Sequence, residues 1–504
     1  MKSMDKPLSE SMDHNDGSPS KTETECSAAE SRYSYKEQRH IIHKVDRRLI
    51  TALGLLMCVS LVDRTNLGNA MISGYCITPA EAVSMLTILV WRRNCKWRLA
   101  LAMYEAIVLL VFFIPYVLFQ FPLILLARKI GPRIFLSGIT LAWGIVMICC
   151  GFVHSWKVLL ALRMLLGFFE GGLFPGAVYL LSMWYSRYDM HKRYSAFYLI
   201  SVTGAAFSGL LAFGFIHMGG LAGFAPWRWI FIMEGLLTCV VACIGFALLI
   251  NFPDENRLSW RFLNREETAF IVAQISRDRQ DASQEVPFDL RQFVRPALEL
   301  KVWAFALLLF CATMVSYSIS FFLPIIMTSE LHFSTAVAQV LTTPPYFFAG
   351  LFMFIQGWLG DRYRMRAPFI VWNNIQAIVG LSILGWVTVP GVQYFGVFLV
   401  ASGSNANIPA TLTYQANNIC GHWKRAFCSA SIITLGGIGG VAGSMVFRTK
   451  DAPRYLPGVY ASIAVNLLSI VVVGALTVFF AVCNRQASRG SKVIEDLPGF
   501  KYTL

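Results

Sequence analysis

The sequence predicts an all-α membrane protein with twelve transmembrane helices in two pseudo-symmetric six-helix halves. Three observations carry that prediction. Hydrophobic residues fill 56% of the 504 positions and charged residues only 14%, whereas a soluble domain carries about 25% charged residues. Apolar runs long enough to cross about 30 Å of hydrocarbon recur along the chain. Lys and Arg cluster between alternate runs, as they do on the cytoplasmic face of membrane proteins.

Residues 1–46 open the chain with a polar stretch rich in Ser, Glu and Lys, read as a disordered cytoplasmic tail with no cleavable signal. Residues 47–250 form the first half, with spans near 48–68, 101–126, 134–153, 157–183, 194–216 and 228–250. Residues 251–300 are a charged linker whose apolar positions recur at helical spacing, which predicts an amphipathic cytoplasmic helix. The second half, 301–482, repeats the plan with spans near 302–327, 335–358, 367–388, 391–414, 426–447 and 459–482. Residues 483–504 are a cytoplasmic tail.

The net charge of +14 is explained by topology rather than by nucleic acid. Arg128, Lys129 and Arg133 follow span two, and Arg187, Lys192 and Arg193 follow span four. Arg362, Arg364 and Arg366 follow span eight, and Lys424 and Arg425 follow span ten. All of these loops are cytoplasmic if both termini are. The last external loop, VFRTKDAPRYLPG, fits less well. So does Cys76–Arg98, which puts Arg92, Arg93, Lys96 and Arg98 on the external side around an apolar piece, Ala82–Trp91, too short to span.

Other functional classes leave no mark. The twelve Cys form no CxxC or Cys/His metal spacing, and the eight His make no HxxxH or HExxH cluster. No nucleophile elbow or Gly-rich phosphate loop is present, so neither an enzyme nor a cofactor or metal is expected. A channel would need a continuous polar lining, and here isolated charges stand on apolar spans. Paired halves with a site between them at the midplane are the transporter plan. A nutrient sensor built on the same fold is the alternative.

Charges inside the spans are the candidate machinery, because each costs at least a few kcal/mol in a bilayer. Asp63 and Arg64 sit together near the end of span one, in LVDRTNLGNA. Neighbouring helix residues point about 100° apart, so one can face the cavity while the other faces a helix. A guanidinium grips a carboxylate with two parallel donors, which makes Arg64 the candidate anchor for an anion. Alternatively, Asp63 and Arg64 neutralise each other.

In span four, RMLLGFFEGG places Arg163 and Glu170 on one face about 10 Å apart, too far to pair directly. Desolvation favours the neutral form of a buried carboxyl, so Glu170 is the candidate proton carrier and Asp63 a second one. A structural salt bridge is the alternative for Glu170. Arg163 reads as a fixed cation that holds spans one and four together. Glu234 and Arg228 read as an interfacial pair beside Trp227 and Trp229. Tyr317 and Asn405 are the second-half polar residues placed in the pocket, with helix–helix hydrogen bonding as the competing role. The run LGGIGGVAGS serves close packing.

The strings DRTNLGNA, FFIPYVLFQFP, RMLLGFFEGGLFPGAVYLLSMWYSR, PWRWIFIMEG, GDRYRMR, YQANNICGHWKRAFCSA and DLPGFKYTL together resemble the major facilitator superfamily. The resemblance is to the fungal allantoate permease branch of the anion:cation symporters, from about residue 40 onward. It implies a monomeric plasma-membrane carrier, without cofactor, that imports a small organic anion such as nicotinate, pantothenate or allantoate together with protons. It gives Arg64 the anion, Glu170 and Asp63 the proton, and Arg163 a part in coupling. It makes Gly357, Gly360, Asp361 and Arg362 a conformational latch, in which the Asp caps a neighbouring helix and the Arg forms inter-helix salt bridges. Two departures stand out. Cys76–Arg98 exceeds the family's first external loop, as an insertion or a retained untranslated stretch. The first-half loop reads LILLAR where the superfamily offers Gly and Asp.

Overall fold

The computed structural model describes residues 34–72, 111–153, 155–186, 189–253, 263–279, 289–329, 335–447, 455–491, 493–495 and 500–504. The Cys76–Arg98 segment, the start of span two, Arg187, residues 1–33 and most of the last external loop lie outside these. So do parts of the linker.

Sixteen α-helices, and no strand, are found among the described residues. The first half holds α1 (Tyr35–Ile72), α2 (Val111–Leu118), α3 (Gln120–Ile130), α4 (Pro132–Gly151), α5 (Trp156–Glu170), α6 (Leu173–Trp184), α7 (Met190–Ile216) and α8 (Pro226–Leu248). The linker holds α9 (Arg265–Arg279) and α10 (Leu290–Val294). The second half holds α11 (Leu300–Ser329), α12 (Thr335–Tyr363), α13 (Ala367–Trp386), α14 (Pro390–Asn417), α15 (His422–Ser444) and α16 (Leu456–Ser488).

Eight described spans are long and apolar enough to cross a membrane, counting α5 and α6 as one, and nine when α2 and α3 are joined. Helices α1, α12 and α14 stand outside that count; added to the nine they are consistent with the expected twelve. Helix α7 packs against α1 of its own half and against α12 and α14 of the other, which puts these helices at the seam between the halves.

Proline and glycine shape spans two and four. Pro122 has no N–H for the Leu118 carbonyl, and its ring crowds that group; α2 and α3 meet there at 53°. In span four, Gly171 and Gly172 followed by Pro175 interrupt the helix only briefly, which leaves Glu170 as the last residue of α5 within one continuous span. The linker helix α9 lies where the sequence puts an amphipathic helix, with Phe270 and Ile271 buried and Glu267 paired to Lys44 at 3.0 Å.

One boundary is corrected. Helix α1 starts at Tyr35, inside the stretch read as a disordered tail. Ile41, Val45 and Leu49 recur at helical spacing and are buried, and Asp46 pairs with Arg193 at 2.7 Å.

Close approach fixes where α5 runs. A Cβ on Gly167 would lie 2.0 Å from the Phe112 carbonyl oxygen, and one on Gly171 would lie 2.9 Å from that of Tyr116. This Gly-x-x-x-Gly face therefore lets α5 touch the main chain of α2. Gly167→Ala is expected to destabilise the protein by about 1–3 kcal/mol through overpacking against backbone. Gly138→Ala, which would meet nothing within 4 Å, is the neutral control. Thermal denaturation of the purified pair in detergent reads the difference.

Candidate functional site

The site grows from Arg64, where α1 reaches the seam. Its Nε donates to Glu170 Oε1 at 2.6 Å, and its Nη1 donates to Tyr317 Oη at 2.8 Å. Glu170 belongs to the first half and Tyr317 to the second, so one guanidinium bridges both. Ser60 Oγ, one helical turn before Arg64, donates to the same Glu170 oxygen at 2.6 Å. The guanidinium lies 4.9 Å from the centre of the Tyr116 ring, a cation–π contact. Arg64 Nη2 is buried and has no hydrogen-bond partner among the described residues.

Glycines make room for the two tyrosines. A Cβ on Gly437 would meet the Tyr116 ring at 3.1 Å, and one on Gly440 the Tyr317 ring at 3.2 Å. Gly439 and Gly443, on the adjoining face of α15, approach the carbonyls of Phe310 and Met314 on α11, with Cβ distances of 2.4 and 2.3 Å. The glycine run therefore packs closely, as its composition suggests, and also seats the rings that flank Arg64.

The other expected residues separate into groups. Asp63 does not pair with Arg64. Its Oδ2 accepts from Trp143 Nε1 at 3.0 Å and lies 3.3 Å from Thr238 Oγ1, so mutual neutralisation of Asp63 and Arg64 is excluded as the arrangement here. Arg163 is buried with its guanidinium 5.4 Å from the Phe231 ring, and its Nε and Nη2 have no hydrogen-bond partner among the described residues. Asn405 accepts from Ser316 Oγ at 3.1 Å and donates to the Ala401 carbonyl at 2.8 Å. That is the helix–helix bond considered as its competing role.

At the basic end of the bundle, Asp361 caps α7: its carboxylate accepts from Lys192 N at 2.8 Å and His191 N at 3.3 Å. The first N–H groups of a helix lack intrahelical partners, and a carboxylate there also meets the positive end of the helix dipole. Gly360 and Gly357 allow the approach, since a Cβ on either would lie 2.5 Å from His191 Nδ1 or Ser195 Oγ respectively. The arginine of this junction needs correction. Arg362 is exposed and stacks over Trp358 at 5.6 Å. The fully buried Arg366 pairs with Asp361 instead, Nη2 to Oδ1 at 2.6 Å. In the first-half loop, which lacks the acid, Arg128 stacks over Trp423 of the second half at 5.4 Å.

Glu234 also departs from expectation. Arg228 donates to the Val153 carbonyl at 3.2 Å, whereas Glu234 is 1% exposed. It is therefore a third buried carboxylate of the first half, beside Asp63 and Glu170. Its place two turns inside α8 is the signal that outweighs its tryptophan neighbours.

The Major Facilitator Superfamily profile matches residues 53–446, most of the chain. The chain belongs to the Major Facilitator Superfamily. The MFS-type transporter cnsO of Penicillium expansum is 29% identical over 483 residues, covering 94% of this chain and 89% of that protein. The High-affinity nicotinic acid transporter of Saccharomyces cerevisiae is 28% identical over 438 residues, covering 87% and 77%. The solved structure of the superfamily's proton:xylose symporter XylE superposes with a TM-score of 0.64 at 13% identity, covering 85% of this chain and 94% of that one. Superfamily members are multi-pass membrane transporters of small molecules and not enzymes.

Proposed function

We propose that this carrier imports a small organic anion together with protons by alternating access, as the anion:cation symporters do. The observation that carries the reading is the Arg64 bridge. A forked cation at the seam is held by a carboxylate of one half and a phenol of the other, and it keeps a buried donor, Nη2, for a ligand. Protonation of Glu170 weakens its hold on Arg64 and frees the fork to take a substrate carboxylate bidentately. Tyr317 reports the ligand to the second half, while Asp63, with Arg163 near it, is the second proton-responsive group. Asn405 lines the second-half wall rather than binding.

With the basic end cytoplasmic and the protein in the plasma membrane, this state is shut from the inside. Thr434 Oγ1 donates to Gln120 Oε1 at 2.8 Å across the halves, and Phe121 meets Phe427 at 5.1 Å. Gly357, Gly360 and Asp361, with Arg366 as the arginine, form the latch there. A monocarboxylate or vitamin-like acid is the substrate class, supported by the kinship with a nicotinic acid transporter.

Uptake of labelled nicotinate and pantothenate at low external pH, in cells lacking their own carriers, tests the reading. Accumulation above the external concentration that collapses with a protonophore is expected. Uptake indifferent to the protonophore overturns proton coupling, and binding without accumulation would leave a sensor.

A further inference from the structure

Residues Phe500–Leu504 lie across the basic end of the second half as a peptide lies in a groove. Tyr502 N donates to Asn484 Oδ1 at 2.8 Å, and Asn484 Nδ2 donates back to the Tyr502 carbonyl at 2.9 Å. Thr503 N donates to Asn418 Oδ1 at 2.7 Å, and Asn418 Nδ2 donates to the Thr503 carbonyl at 3.1 Å. Arg366 N then donates to the Leu504 carbonyl at 2.9 Å. Two successive residues thus have both main-chain groups matched by carboxamides, the donor–acceptor complement that an extended chain presents.

Side chains fix the register. The Tyr502 ring stacks on Phe480 at 4.4 Å, with Phe500 edge-on to it at 5.7 Å. Tyr502 Oη donates to Glu495 Oε1 at 3.0 Å and accepts from Lys301 Nζ at 3.1 Å. Glu495 pairs with Lys301 and, at 2.7 Å, with Lys424. Burial alone would raise the Glu495 carboxyl, but the two ammonium groups outweigh it and hold it below the ordinary range.

The anchors reach every helix of the second half. Phe480 and Asn484 are on α16, Asn418 follows α14, Arg366 precedes α13, Lys301 opens α11 and Lys424 opens α15. Helix α12 joins through Asp361. Arg366 is the hinge of the arrangement, because its N–H holds Leu504 while its guanidinium holds the carboxylate that caps α7 in the first half.

We propose that Phe500–Leu504 is a strap that sets Arg366 and thereby keeps Asp361 on the first turn of α7, so that unseating the strap loosens the junction between the halves. The proposal rests on reading that junction as a latch, and its test does not depend on transport. Hydrogen exchange is followed by mass spectrometry on the full chain in lipid nanodiscs. Thr503→Pro removes one main-chain donor and lies outside every helix; Asn418→Ala with Asn484→Ala removes both carboxamides.

Either variant is expected to raise exchange across residues 191–195 by about tenfold while leaving α4 as in the native protein. Exchange that rises only near residues 366–370 and 484–488, with 191–195 still protected, overturns the proposal. If the asparagine pair fails to fold, Thr503→Pro decides alone. Asp361→Asn with the strap intact separates the two readings. Loosening of 191–195 there, without loosening in Thr503→Pro, sinks the strap and keeps the latch; protection in both sinks both.

Discussion

Glu170→Gln is expected to abolish uphill uptake while preserving exchange of labelled for unlabelled substrate. Glu170 Oε1 receives two hydrogen bonds, from Ser60 Oγ and Arg64 Nε, as an acceptor-only carboxylate does. A glutamine carbonyl fits the same place and keeps the Ser60 bond, but it never carries charge and its neutral oxygen holds the guanidinium only weakly. The variant is therefore fixed in the electrostatic condition of the protonated acid. Arg64 is free for substrate and the loaded carrier can reorient, yet no proton is gained outside or lost inside. Net uptake driven by a pH gradient should fall by about 100-fold or more while counterflow stays within a few-fold of native. Reconstituted vesicles allow both measurements on one preparation. Native net uptake in the variant removes Glu170 as carrier, and loss of both modes makes it a structural member of the Arg64 bridge.

Much of the architecture around this carboxylate is legible in the sequence. The break that ends α5 at Glu170 is written in Gly171, Gly172 and Pro175, and the close face of α5 in Gly167 and Gly171. Apolar length and the basic loops mark the spans and their alternation. Pairing is where sequence runs out. The angle between successive residues says that Asp63 and Arg64 diverge, but not that Asp63 turns to Trp143 and Thr238 while Arg64 turns to Glu170 and Tyr317.

The Arg362 expectation failed for a local reason of the same kind. In GDRYRMR, Arg364 adopts φ 55°, a left-handed turn that is uncommon for a residue other than glycine. It reverses the chain and brings Arg366 back onto Asp361, leaving Arg362 outside. Glu234 departs from the interfacial reading because Trp227 and Trp229 sit in the first turn of α8, whereas the buried carboxylate lies two turns further along the same helix.

Arg64→Ala is expected to lose anion binding, raising the KM for uptake by about 100-fold, on the order of 3 kcal/mol. The truncation also leaves Glu170 buried without its cation, and breaking a buried pair by removing one partner costs about 3–5 kcal/mol. A poorly folded variant would thus imitate a binding defect, so two companions separate the causes. Arg64→Ala with Glu170→Gln removes both charges, and neutral replacement of both partners of a buried pair is tolerated far better. Its thermal stability should return toward native while substrate-induced stabilisation stays absent. Arg64→Lys keeps the charge but not the planar fork, and should retain a measurable but weakened response to substrate. Unchanged affinity in Arg64→Ala would return Arg64 to a purely structural role. Restored stability with restored binding in the double variant would move the anion site elsewhere along the seam, with Arg163 the next buried cation of the first half to test.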